Sequence, residues 1–194
     1  MRARRFTALV MGAALLALGA CGSPPESWVS APPPVSAPSA AAPSAPAPAA
    51  PSEPAPTGPV PELLRFTGTT LDGRTFDGTS LAHKPAVLWF WAPWCATCAG
   101  QGWIIAEQAP RYAGRVPIVG VAGLSTDTAA MDSFVTTYEL GAVPQINDGA
   151  GELWKRFEVT RQSYYVMIDA KGEVVHKGWL DEQDFVAWLD RLAA

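Results

Sequence analysis

Two cysteines three residues apart are the residues most able to do chemistry. Cys95 and Cys98 bracket Ala96-Thr97 and follow Trp94 and the apolar run Ala86-Val87-Leu88-Trp89-Phe90-Trp91. A thiol pair at this spacing can form half of a metal site, close a structural disulfide, or exchange disulfides with other proteins. Zinc needs two further ligands, and the two histidines, His83 and His176, show no paired spacing. Copper delivery by paired thiols calls for a neighbouring His or Met cluster, which is absent. A structural bridge across two residues closes too small a loop to stabilise much. Dithiol–disulfide exchange is left, with no metal and no other cofactor required. At a helix start, unpaired backbone N–H groups favour a thiolate, so Cys95 is expected to be the exposed nucleophile. Cys98, one turn on, is expected to be the covered resolving thiol.

That chemistry requires a strand to end and a helix to begin at Cys95. The run Ala86–Trp91 marks a central strand covered on both faces, and a helix is predicted from about Cys95 to Tyr112. Pro117–Val121 reads as a second buried strand. Met131, Phe134, Val135 and Tyr138 have helical spacing within Asp127–Leu140, with Asp127 or Thr126 as the N-cap. A short helix is expected at Glu152–Phe157, then strands at Tyr164–Ile168 and Val174–Trp179 about a turn at Asp169–Gly172. The helix Asp181–Leu192 closes the chain, with Phe185, Trp188, Leu189 and Leu192 on one face. Upstream, Leu63–Phe66 and Arg74–Phe76 flank Asp72-Gly73 as a short hairpin. Strands alternating with helices predict an α/β domain with a mixed central sheet flanked by helices. Its roughly 130 residues can build a core without structural disulfides. Gly120 and Gly123 read as packing and turn positions, because no G-x-G-x-x-G follows a strand.

The remaining sequence concerns delivery. Fourteen of the 19 prolines in this 194-residue chain lie between Pro24 and Pro61, leaving five for Glu62–Ala194. Arg2, Arg4 and Arg5 precede an uncharged apolar stretch, Phe6–Leu18, shorter than the roughly 20 residues that span a bilayer. Leu18-Gly19-Ala20-Cys21 resembles a bacterial lipobox. Residues 1–20 are therefore expected to be a lipoprotein signal peptide read by the Sec route, and Cys21 the site of lipid attachment. Between Ser30 and Pro56, 25 of 27 residues are Ala, Pro or Ser. Residues 21–61 are thus expected to form a disordered tether, reaching on the order of 100 Å where extended, ahead of a domain at 62–194. The net charge of −4, falling to −7 once the three arginines are removed, gives no support to nucleic-acid binding. The odd cysteine count divides into one for the lipid and two for the pair.

The segment Trp89-Phe90-Trp91-Ala92-Pro93-Trp94-Cys95-Ala96-Thr97-Cys98 resembles the active-site segment of extracytoplasmic thioredoxin-fold proteins of the TlpA/ResA/DsbE group. The likeness continues in Lys84-Pro85-Ala86-Val87-Leu88 and in Val119-Gly120-Val121-Ala122-Gly123-Leu124, and covers Leu63 to Leu192. With the lipobox and tether, the sequence is similar to actinobacterial DsbE/DsbF-like members. This resemblance implies a thioredoxin-like fold and a redox-active Cys95–Cys98 disulfide. It also implies exported client proteins bearing thiols or disulfides, and a membrane redox partner for recycling at the extracytoplasmic face. Disulfide formation is the expected direction; a reductant in cytochrome c maturation and a low-turnover client-binding lipoprotein are the alternatives.

Three departures from the family pattern stand out. The loop expected to face the disulfide, Gln162-Ser163, has Ser163 where the family carries a cis-proline, adding an N–H and a hydroxyl beside the sulfurs. Trp94, Gln162 and Ser163 are the expected substrate loops. Gly100-Gln101-Gly102-Trp103 stands where relatives often read Gly-Glu-x-Pro, and Trp89 where thioredoxins keep a buried Asp. Glu107 is nine residues past Cys98, too far along a helix for contact. If the serine is a defect, Ser163→Pro is expected to raise activity.

Overall fold

The computed structural model describes residues 58–194; the expected signal peptide, Cys21 and almost all of the tether lie outside the described residues. The fold grows from β3, Ala86–Trp91, whose six apolar residues are all buried. Successive side chains of a strand point to opposite faces. Val87, Trp89 and Trp91 therefore enter one core, and Ala86, Leu88 and Phe90 the other. The first core is closed by Ile105, Ala109 and Tyr112 of α1 (Ala96–Tyr112), Met131 and Phe134 of α2 (Thr128–Thr137), and Phe185 and Leu189 of α4 (Glu182–Ala193). The second is closed by Leu153 and Trp154 of α3 (Glu152–Arg156), by Phe157, and by Leu64 and Leu81 from two short 3-10 turns.

Five strands form the main sheet in the order β5-β4-β3-β6-β7, with β4 at Ile118–Ala122, β5 at Gln145–Asn147, β6 at Tyr164–Ile168 and β7 at Val174–Gly178. β4 runs parallel to both β3 and β5, whereas β6 is antiparallel to β3 and to β7. This is the expected mixed α/β sheet. Asp127, Asp148 and Asp181 satisfy helix starts by accepting backbone N–H bonds, a contribution of about 1 kcal/mol each. Burial pushes the Asp148 carboxyl above its usual range, against the pull of the backbone donors of Trp154, Glu152 and Leu153.

Two expected elements are displaced. The first hairpin arm is β1, Thr67–Thr69, not Leu63–Phe66; it pairs with β2, Thr75–Asp77. Leu63-Leu64 instead belongs to a 3-10 turn at Glu62–Leu64, because fully buried Leu64 fills the second core. The hairpin docks on edge strand β5 through the Leu71 N–H, which donates to Gln145 O at 2.8 Å. α2 stops at Thr137 rather than Leu140, since Glu139 takes a left-handed backbone (φ +55°) and a separate 3-10 turn begins at Leu140. Gly120 and Gly123 are close-packed: a β-carbon would collide with Gln145 at the first and with Trp154 at the second. No described helix is long and apolar enough to cross a membrane.

Candidate active site

The end of β3 delivers the cysteines. The chain turns at Ala92-Pro93-Trp94, where the Cys95 N–H donates to Ala92 O at 3.1 Å, and α1 begins at Ala96. Cys95 is the helix N-cap: its Sγ accepts the Cys98 N–H at 3.0 Å. The two cysteines are disulfide-bonded, with Cα atoms 5.2 Å apart. An Sγ at the start of a 17-residue helix faces unpaired N–H groups and the positive end of the dipole, which stabilises a thiolate once the bond is reduced.

Cys95 is not openly exposed. It is 5% accessible and Cys98 0%, so both sulfurs are buried and the exposure expected of Cys95 is not found. The cover comes from the opposite loop. The Ser163 hydroxyl lies 3.1 Å from Cys95 Sγ and 3.2 Å from Cys98 Sγ, and Ser163 is itself 6% accessible. Antiparallel pairing of Phe90 with Tyr164 puts this loop beside the end of β3.

Ser163 has a left-handed backbone (φ +67°), and its N–H donates to Phe90 O at 2.9 Å. Proline fixes φ near −65° and has no N–H. Ser163→Pro therefore removes a bond and demands a conformation that this loop does not have, which argues against the serine being a defect. Gln162 is half-buried beside it. Trp94 is 60% exposed, and its indole N–H donates to the carbonyl of exposed Leu124 at 3.2 Å. Together they form an apolar rim next to the disulfide.

Gln101 stood out in the sequence only for the acid it replaces, and its part in the site was missed. It lies one turn beyond Cys98 on the buried face of α1, where it shares helical spacing with Ile105 and Gln108. Its Oε1 accepts the Trp89 indole N–H at 2.9 Å, and its Nε2 donates to Ser163 O at 3.1 Å. The two positions where the family resemblance associates acids, 89 and 101, are thus joined as one neutral hydrogen-bonded pair that holds the Ser163 loop. A polar residue at core spacing was the available signal. Glu107 is exposed and paired with Arg111 at 3.0 Å. Among the described residues, no three His, Cys, Asp or Glu side chains gather as a metal site. A cavity of about 420 Å³ lies elsewhere, lined by Thr70, Asp72, Asp132, Val135 and Gln145 among others.

A family model described as Redoxin matches residues 43–187. The soluble secreted antigen MPT53 of Mycobacterium tuberculosis is 43% identical over 113 residues, covering 57% of this chain. The match spans 62% of that relative's own length. Among solved structures, MTB dsbF in its mixed oxidized and reduced forms has 40% identity and a TM-score of 0.65, covering 69% of this chain and 99% of that one. A secreted Mycobacterium tuberculosis disulfide oxidoreductase homologous to E. coli DsbE has 36% identity and a TM-score of 0.62, covering 68% and 98%.

Proposed function

The chain belongs to the Redoxin family, and from that premise we propose that it is a lipid-anchored, extracytoplasmic thiol–disulfide oxidoreductase that donates disulfides to exported proteins. One observation carries the reading: a Cys95–Cys98 disulfide with Cys95 Sγ at the N-terminus of α1 and Cys98 fully covered behind it. The sulfur of a client thiol attacks Cys95 Sγ as it gives up its proton, the Cys95–Cys98 bond breaks, and Cys98 takes up a proton and leaves as a thiol. A second client thiolate then attacks the client sulfur of the mixed disulfide. The client departs oxidised and both cysteines are left reduced, so two electrons must pass to a membrane redox partner before the next turnover. The Trp94–Leu124 rim offers apolar contact to an extended client segment.

Export is supported by the secreted description of two relatives, and the lipobox at Leu18–Cys21 adds the anchor. The tether would let the domain range away from the membrane. Oxidative refolding of a reduced client and reduction of a scrambled one, by wild type and by Cys95→Ser, test the activity. Wild type should form disulfides well above the Cys95→Ser rate; equality of the two sinks the enzyme and leaves a client-binding module. Equilibration with glutathione sets the direction, and a strongly reducing potential would favour cytochrome c maturation. Cys21→Ser should move the protein from the membrane fraction to the medium.

A further inference from the structure

Disulfide exchange moves protons as well as electrons. When Cys98 is expelled from Cys95 it departs into a fully buried position, and an unprotonated thiolate there is costly. Among the described residues no carboxylate, imidazole, ammonium or guanidinium is hydrogen-bonded to either sulfur. Arg161, two residues before Ser163, is exposed; Tyr164, the next residue, is half-buried; Glu107 on α1 is turned to Arg111. Gln101, packed against the loop, is neutral. The group within reach of both sulfurs is the Ser163 hydroxyl, 3.1 and 3.2 Å away. A hydroxyl offers one donor and two acceptor lone pairs, so it can take one proton while giving another.

We propose that Ser163 is a catalytic residue whose hydroxyl relays a proton between the sulfur arriving at Cys95 and the sulfur of Cys98, and then hydrogen-bonds the Cys95 thiolate. The proposal rests on the oxidoreductase reading. In the first step the client S–H passes its proton to Ser163 Oγ as the client sulfur bonds to Cys95 Sγ. The Ser163 proton passes to Cys98 Sγ as the Cys95–Cys98 bond breaks. The hydroxyl is regenerated, the electron pair of the broken bond stays on Cys98, and the mixed disulfide contains no new charge. In the second step Cys95 leaves as a thiolate that accepts from both Ser163 Oγ and the Cys98 N–H. Gln101 is a positioning residue: its bond to Ser163 O, with the Ser163 N–H bond to Phe90 O, fixes the loop on both sides of the hydroxyl. The proline implied at this place by the family resemblance has no hydroxyl to offer.

The test compares wild type with Ser163→Gly, which suits a φ of +67°, and Ser163→Ala, which keeps the β-carbon. Thiolate absorbance titrates Cys95 in the reduced full-length proteins, and exchange with glutathione is timed from pH 5 to pH 9. Both variants should raise the Cys95 pKa by about one unit, the scale of one charge-assisted bond. Both should slow exchange by about ten- to a hundredfold near neutral pH. The deficit should shrink toward pH 9, where incoming thiols ionise unaided. Wild-type titration and pH profile in both folded variants overturn the relay, as does a change in Ser163→Gly without one in Ser163→Ala, which would mark a backbone effect. If wild type is inert toward client proteins but exchanges with glutathione, the functional reading fails while these measurements still decide the role of Ser163.

Discussion

Two buried tryptophans on one face of β3 each donate to a glutamine, yet the two pairs differ in what they hold. Trp89 and Trp91 stack with ring centroids 5.6 Å apart, and each indole N–H meets a glutamine Oε1 at 2.9 Å. Gln101 then passes its Nε2 to Ser163 O, 3.1 Å away, and so reaches the disulfide. Gln145 ends there: its Nε2 is buried without a hydrogen-bond partner among the described residues, against Gly120. The same side-chain pair is a fully satisfied brace in one place and a half-satisfied closure in the other. A network in which every polar atom is paired rigidifies what it touches, whereas an unpaired buried donor only costs.

The severest way to break the brace is Ser163→Pro. It loses the N–H bond to Phe90 O and cannot hold φ at +67°, so thermal melting should show a loss of about 3 kcal/mol or more. A variant at least as stable and more active than wild type would remove the brace from the account. Gln101→Met is expected to cost about 2–3 kcal/mol by orphaning the Trp89 N–H and Ser163 O together, and to slow exchange about tenfold by freeing the loop. Gln145→Met orphans one donor but removes another that is already unpaired. Its stability should stay within about 1 kcal/mol of wild type and its exchange rate should not change. Equal effects from the two glutamine variants would erase the distinction between the pairs.

The smallest effect concerns another buried nitrogen with no partner among the described residues, His176 Nε2, which unlike Gln145 can titrate. Burial lowers the His176 pKa, opposed by the neighbouring Gly178 backbone and by the Asp184 charge on α4; the ring also lies against Trp188 at 5.4 Å. With the folded pKa below the unfolded one, the unfolded chain binds more protons as pH falls through 6.5. The melting temperature should therefore drop as pH moves from 7.5 toward 5.5, and His176→Gln should flatten that part of the profile. A profile unaltered by the substitution would show that His176 carries no such penalty.

What the sequence by itself determined is local. Spacing placed Cys95 and Cys98 one turn apart at a helix start, and an unbroken apolar run fixed β3 as a strand buried on both faces. Aspartates before apolar periodicity marked the starts of α2 and α4. Each of these signals lies within a few residues of what it specifies. Where the local pattern was too short, at Leu63–Phe66, core burial chose a 3-10 turn over a strand. The contacts that distinguish this site span much longer stretches of chain: 68 residues from Cys95 to Ser163, 62 from Gln101 to Ser163, and 54 from Trp91 to Gln145. They follow from register, since pairing Phe90 with Tyr164 carries the serine to the sulfurs, and Gly120 with Gln145 carries a glutamine under Trp91. The family resemblance set the Ser163 loop opposite the disulfide, but only the assembled sheet decided that its hydroxyl touches both sulfurs from a left-handed backbone, because strand pairing, not spacing in sequence, sets how two loops meet.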